Sequence, residues 1–78
     1  MKAHEEIIEF IAAGPSARSV ADFQASPEAK ERAALLIRKE KSEGLTPDEK
    51  AELDGFEKLE LIMNLAKARA RQRLAHER

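Results

Sequence analysis

The chain contains no cysteine, no tryptophan and no tyrosine, and its only aromatic residues are Phe10, Phe23 and Phe56. Without thiols there is no disulfide to staple a small fold, and a thiol-free composition accords with a cytoplasmic location, which is the expectation here. Three glycines and three prolines leave too few breakers for a loop-rich protein. The glycines are scattered at Gly14, Gly44 and Gly55, so no phosphate-cradling loop is present. No apolar run approaches the length of a membrane span, and MKAHEEIIEF lacks the charge and apolar blocks of a signal peptide. The two histidines, His4 and His76, stand at opposite ends, where chains are commonly mobile, and His4 has no second histidine four residues on. Ser16, Ser19 and Ser26 have no neighbouring histidine and read as caps and turn residues. The acid pairs Glu5/Glu9 and Glu49/Glu52 read as solvated helix faces. No catalytic, cofactor-binding or metal-ligating residue is therefore expected, and the chain is not expected to be an enzyme.

What the chain does have is charge and alanine. Of its 78 residues 37% are charged and 42% hydrophobic, but alanine supplies much of the latter and buries little area. At this length, apolar burial at roughly 25 cal/mol per Å² against roughly 1.5 kcal/mol per ordered residue comes out near zero. A homo-oligomer, or docking on another protein, is the expected source of the missing burial. The net charge of −1 argues against a general nucleic-acid binder, although the distribution is uneven. Residues 1–66 carry nine cations and fourteen anions, whereas residues 67–78 carry five cations and one anion.

Helical spacing dominates. Ala3, Ile7, Phe10 and Ile11 fall on one face, with Glu5, Glu6 and Glu9 on the other, before Gly14-Pro15 stops the run. Ser16 can cap one or two turns that turn Val20 and Phe23 inward. Ser26-Pro27-Glu28 then opens a helix carrying Ala29, Ala33, Leu36, Ile37 and Glu40 on one stripe, with Glu28 and Arg32 as a local pair. Gly44 ends it, and Thr46 with Glu49 forms a capping box for a last helix running past Gly55. The expected fold is all-α. One domain, residues 1–78, comprises an N-terminal helix and connector (1–25) and an antiparallel helical hairpin (26–78; helices 27–43 and 47–76), with dimerisation expected to complete its core.

Two surfaces of the last helix bear on function. The run LAKARARQRL places a cation at every second position, but about 100° per residue splits them: Lys67 and Arg71 on one flank, Arg69 and Arg73 on another. They bracket a seam of Ala66, Ala70 and Leu74 that continues Phe56, Leu59, Ile62 and Met63, as the flanks of a packed helix do. Phosphate contacts by Lys67, Arg69, Arg71 and Arg73 are the alternative, without interleaved aromatics for single-strand stacking. Opposite the seam lie Leu61, Leu65 and Ala68. A helix apolar on two sides is buried twice, so these three are the expected protein interface unless the N-terminal helices wrap over them. The acidic stretch Glu43 to Glu60 or the basic end would steer the encounter.

The order FIAAGPSARSVADF followed by SPEAKERAALLIRKEKSEGLTPDEKAELDGFEKLELIMNLAKARAR resembles a family of small bacterial helical proteins with no assigned biochemical activity, often encoded beside nucleases of the HNH or PIN type. The likeness covers nearly the whole chain, most clearly Phe10 to Phe23 and Leu45 to Arg71. It implies an antitoxin-like protein or nuclease partner and transfers no catalytic motif. The family often has a charged residue where this chain has Gly55, and a tyrosine where it has Phe56. Three function classes follow: a protein-binding module, a nucleic-acid-binding accessory protein, and a purely structural homo-oligomer.

Overall fold

In a computed structural model, residues 2–76 are described; Met1, Glu77 and Arg78 lie outside them, and with Arg78 one cation of the basic end. Four α-helices follow in order: α1 (Glu5–Ala12), α2 (Ala17–Asp22), α3 (Pro27–Ser42) and α4 (Pro47–His76), with no strand among the described residues. The chain is all-α. Its longest dimension, 52 Å, is set by α4, whose 30 residues at about 1.5 Å each make a rod that the other three helices line.

The helix boundaries follow local chemistry. Ser16 Oγ accepts from the Ser19 amide, and Ser26 Oγ accepts from the Ala29 amide, each at 3.1 Å, satisfying orphan donors of α2 and α3. Thr46 and Glu49 exchange bonds reciprocally: the Thr46 amide donates to Glu49 Oε1 at 2.9 Å, and the Glu49 amide donates to Thr46 Oγ1 at 3.2 Å. Gly14 and Gly44 take positive φ (66° and 85°) just beyond α1 and α3, where a side chain would be strained. His4 precedes α1 but makes no side-chain cap.

Helix α4 runs unbroken through Gly55. Strong helix formers on both sides carry it through, and the His4 ring lies over Gly55, at 3.5 Å from where a Cβ would stand. His4 is thus packed and half-buried, contrary to the expectation of a mobile end, with its Nδ1 buried and unbonded among the described residues.

The core joins Ala3 and Ile7 from α1 and its approach, Ala29 and Ala33 from α3, and Phe56 and Met63 from α4, with Phe10, Val20, Phe23, Ala25 and Leu59 packed against it. Phe10 and Phe23 stack at 4.5 Å between ring centroids. Three isoleucines expected on inward stripes are instead exposed: Ile11, Ile37 and Ile62. The cause is the narrowness of each contact. Helix α1 turns Ala3, Ile7 and Phe10 inward, and Ile11 falls on its flank; α3 buries Ala29, Ala33 and Leu36, about 100° from Ile37.

Polar cross-links tie the helices together, and several differ from the local pairs expected. Arg32 turns to Glu52 on α4, donating from Nε to Oε2 at 2.9 Å and from Nη2 to Oε1 at 3.0 Å. The Ala3 amide donates to the same Oε2 at 3.1 Å. Lys39 donates to both Glu49 oxygens at 2.8 and 3.0 Å. Glu49 and Glu52 are therefore not a solvated face; Glu52 is only 3% exposed. Glu6, expected toward water, accepts the Ser26 amide at 2.8 Å and fastens α1 to the start of α3.

Candidate interaction surface

The residues singled out on the last helix separate into three groups. Leu61 and Leu65, each 62% exposed, and Ala68, also exposed, remain uncovered by α1, α2 and α3. The N-terminal helices do not wrap over them. Ile62, 53% exposed, joins this group from the flank of the seam. On a helix wheel Leu65 stands between Leu61 and Ile62, so the three leave a continuous apolar strip at mid-length of α4.

Two further isoleucines, Ile8 and Ile11, are exposed on α1 at i, i+3. The spacing of α1 puts Ile7 inward and leaves both on its flank, since isoleucines at 7, 8 and 11 are more than one narrow contact can bury.

The basic group divides. Lys67 is not a free cation: its Nζ donates to the Phe23 carbonyl at 2.8 Å, closing the end of α2 against α4. That bond uses one of the three ammonium donors and fixes where the Lys67 charge stands, beside the end of α2. Arg69, Arg71 and Arg73 are exposed and have no hydrogen-bond or ion-pair partner among the described residues. Arg69 and Arg73 line an open depression with Gln72 and His76, and their stems also border Val20 and Ala70 under α2. Arg71 faces a different flank, so the structure keeps the three arginines divided.

Titration behaviour marks structural ion pairs. The Lys39 ammonium, with the Thr46 amide, holds the Glu49 carboxyl at about 2, and Glu49 raises Lys39 in turn. The Arg32 guanidinium lowers Glu52 against the opposing effect of burial, helped by the Ala3 amide, and Glu52 raises Arg32. These four groups are engaged in their pairs, and this acidic region therefore offers Glu43, Asp48, Asp54, Glu57 and Glu60 as its exposed acids, Asp54 standing 3.8 Å from Lys50. Among the described residues no group of three or more His, Cys, Asp or Glu could hold a metal ion, and no helix is long and apolar enough to cross a membrane. No family model, no curated protein and no solved structure matches this chain.

Proposed function

We propose that the chain is a non-catalytic protein-binding module, an α3–α4 hairpin whose docking surface is the apolar strip on α4. The observation that carries this reading is the exposure of Leu61, Ile62 and Leu65 together on one side of a helix already packed on the other. Single exposed leucines are ordinary, but a strip of three large apolar side chains on one side of a helix is the pattern of an interface core. The resemblance to proteins encoded beside nucleases makes a nuclease the first foreign partner to test, with this chain in an antitoxin-like role.

The test is a comparison of two tagged proteins recovered from the native host at moderate salt, wild type and Leu61→Asp. Stoichiometric retention of a protein by the wild type, resistant to nuclease treatment and lost in Leu61→Asp, is the expected result. Equal retention by both proteins would remove the strip from the explanation.

A second reading rests on Arg69, Arg71 and Arg73, exposed cations without partners among the described residues. As a nucleic-acid accessory protein the chain would lose affinity steeply with salt, by about 0.9 in log–log slope for each phosphate neutralised. Arg69→Ala with Arg73→Ala would then abolish retention of nucleic acid, and Leu61→Asp would leave it intact.

A further inference from the structure

Helix α4 carries its apolar strip at its midpoint and opposite charges toward its ends. Leu61 and Leu65 flank the centre of Pro47–His76. On the N-terminal side, through Glu60, the exposed charges of α4 are four acids against Lys50 and Lys58. On the C-terminal side they are Arg69, Arg71 and Arg73, with no acid as far as His76. Such a rod is self-complementary in one sense only. Laid parallel on a copy of itself, it sets acid on acid and arginine on arginine. Laid antiparallel, it sets the half of each copy with the net negative charge, which also holds Lys50 and Lys58, against the arginines of the other, and the leucines still meet in the middle.

We infer that the occupant of the strip is a second copy of this chain, its α4 packed antiparallel on the first about a two-fold axis between Leu61 and Leu65. This inference rests on the docking reading above and names its partner. A two-fold axis at that point brings Leu61 of one chain opposite Leu65 of the other, and the same axis repeats the contact with the roles exchanged, as an isologous interface requires. Because the axis lies near mid-helix, the two rods overlap along almost their whole length. The outward positions toward the ends include Ala51, Ala68 and Ala75, all exposed, and their small side chains let the helix backbones approach along the overlap. The arrangement also supplies the burial that an alanine-rich core lacks: among the described residues only Ile7 and Leu36 are large side chains wholly removed from water within one chain.

The full chain is tested by sedimentation equilibrium and by distance measurement between spin labels. Wild type at about 100 µM is expected to have twice the 8.7 kDa chain mass, whereas Leu61→Asp is expected to be a helical monomer by circular dichroism. The absence of cysteine makes Ala75→Cys a unique labelling site. Antiparallel rods place its two labels roughly 35–40 Å apart, and parallel rods place them within about 20 Å, given 1.5 Å of rise per residue. A short distance, a monomeric wild type, or a dimer untouched by both Leu61→Asp and Leu65→Asp would each overturn the inference. If Leu61→Asp fails to fold, the wild-type mass and the label distance still decide it. A monomeric wild type that binds a foreign protein through Leu61 would overturn the second copy and leave the docking reading standing; loss of both would end the two together.

Discussion

Removing Arg32 should destabilise the protein more than removing the carboxylate it binds. The two partners are unequal: Glu52 is 3% exposed, while the Arg32 side chain is 40% exposed. In Glu52→Ala the stranded guanidinium turns to water, but the buried Ala3 amide loses its acceptor, so the loss is that of the charge-assisted hydrogen bonds together, about 1.5–3 kcal/mol. In Arg32→Ala the carboxylate stays between α1, α3 and α4 with the Ala3 amide as its only remaining donor among the described residues. An unpaired buried charge costs about 3–5 kcal/mol, and the one remaining bond brings the expectation to about 3 kcal/mol. The difference also depends on pH. Arg32 lowers the folded pKa of Glu52, so the wild-type pair contributes stability above the unfolded carboxylate pKa, and this is lost as pH falls through the lower folded value. Without Arg32, burial acts to raise that pKa. The sign reverses, and the deficit of Arg32→Ala grows as pH rises through the carboxylate range. Urea unfolding followed by far-ultraviolet circular dichroism, at one protein concentration and at about pH 7 and about pH 4, measures both effects; a deficit of about 3 kcal/mol moves the midpoint by about 3 M for a slope near 1 kcal/mol per molar. The reasoning fails if Glu52→Ala costs more than Arg32→Ala at neutral pH, or if the Arg32→Ala deficit does not change with pH.

Gly55→Ala should stabilise α4 by about 0.5–1 kcal/mol, since the helix is continuous there and the new methyl meets the His4 ring at ordinary contact distance; a lower urea midpoint would show that His4 cannot accommodate it. Lys67→Met should cost about 1 kcal/mol or more by releasing the Phe23 carbonyl, whereas Arg71→Met should fall within about 0.5 kcal/mol of wild type; equal effects would remove the structural distinction between these two cations. The Glu49 carboxyl, held at about 2 by Lys39, should stay ionised in the folded chain down to about pH 2, while its contribution to stability, full above the unfolded carboxylate pKa, falls progressively from there to the folded value; carboxyl carbon shifts in NMR titration would follow the ionisation directly. A Glu49 midpoint near the usual value would mean that the Lys39 contact is not held in solution.

The features legible in the sequence were those closed within a few residues. Ser16, Ser26 and the Thr46–Glu49 pair cap helices from neighbouring positions, and Gly14 and Gly44 mark helix ends by their own backbone requirement. The exposure of Leu61 and Leu65 was also legible, because their angle from Phe56 depends only on helix geometry. The partners of Arg32, Glu6 and Lys67 were not. Each is joined to a residue twenty or more positions away, and spacing along one helix holds no information about the register of another. Ile62 was misplaced for a related cause. It stands at the margin of the seam, and only the position of α1 determines whether a marginal residue is covered.

The place where the Ala3 amide meets Glu52 has a consequence for the order in which the chain assembles. The turn between α3 and α4 closes over Glu43 to Thr46, and Lys39 with Glu49 bridges only ten positions, so these contacts exact little loop entropy. The Ala3 bond spans forty-nine positions and reaches a carboxylate that α3 and α4 have already gathered around Arg32. Helix α1 should therefore dock late, onto a preformed pair. In amide hydrogen exchange it should open first, so the amides of Ile7 and its neighbours would exchange ahead of those around Leu53 while the long helix remains intact.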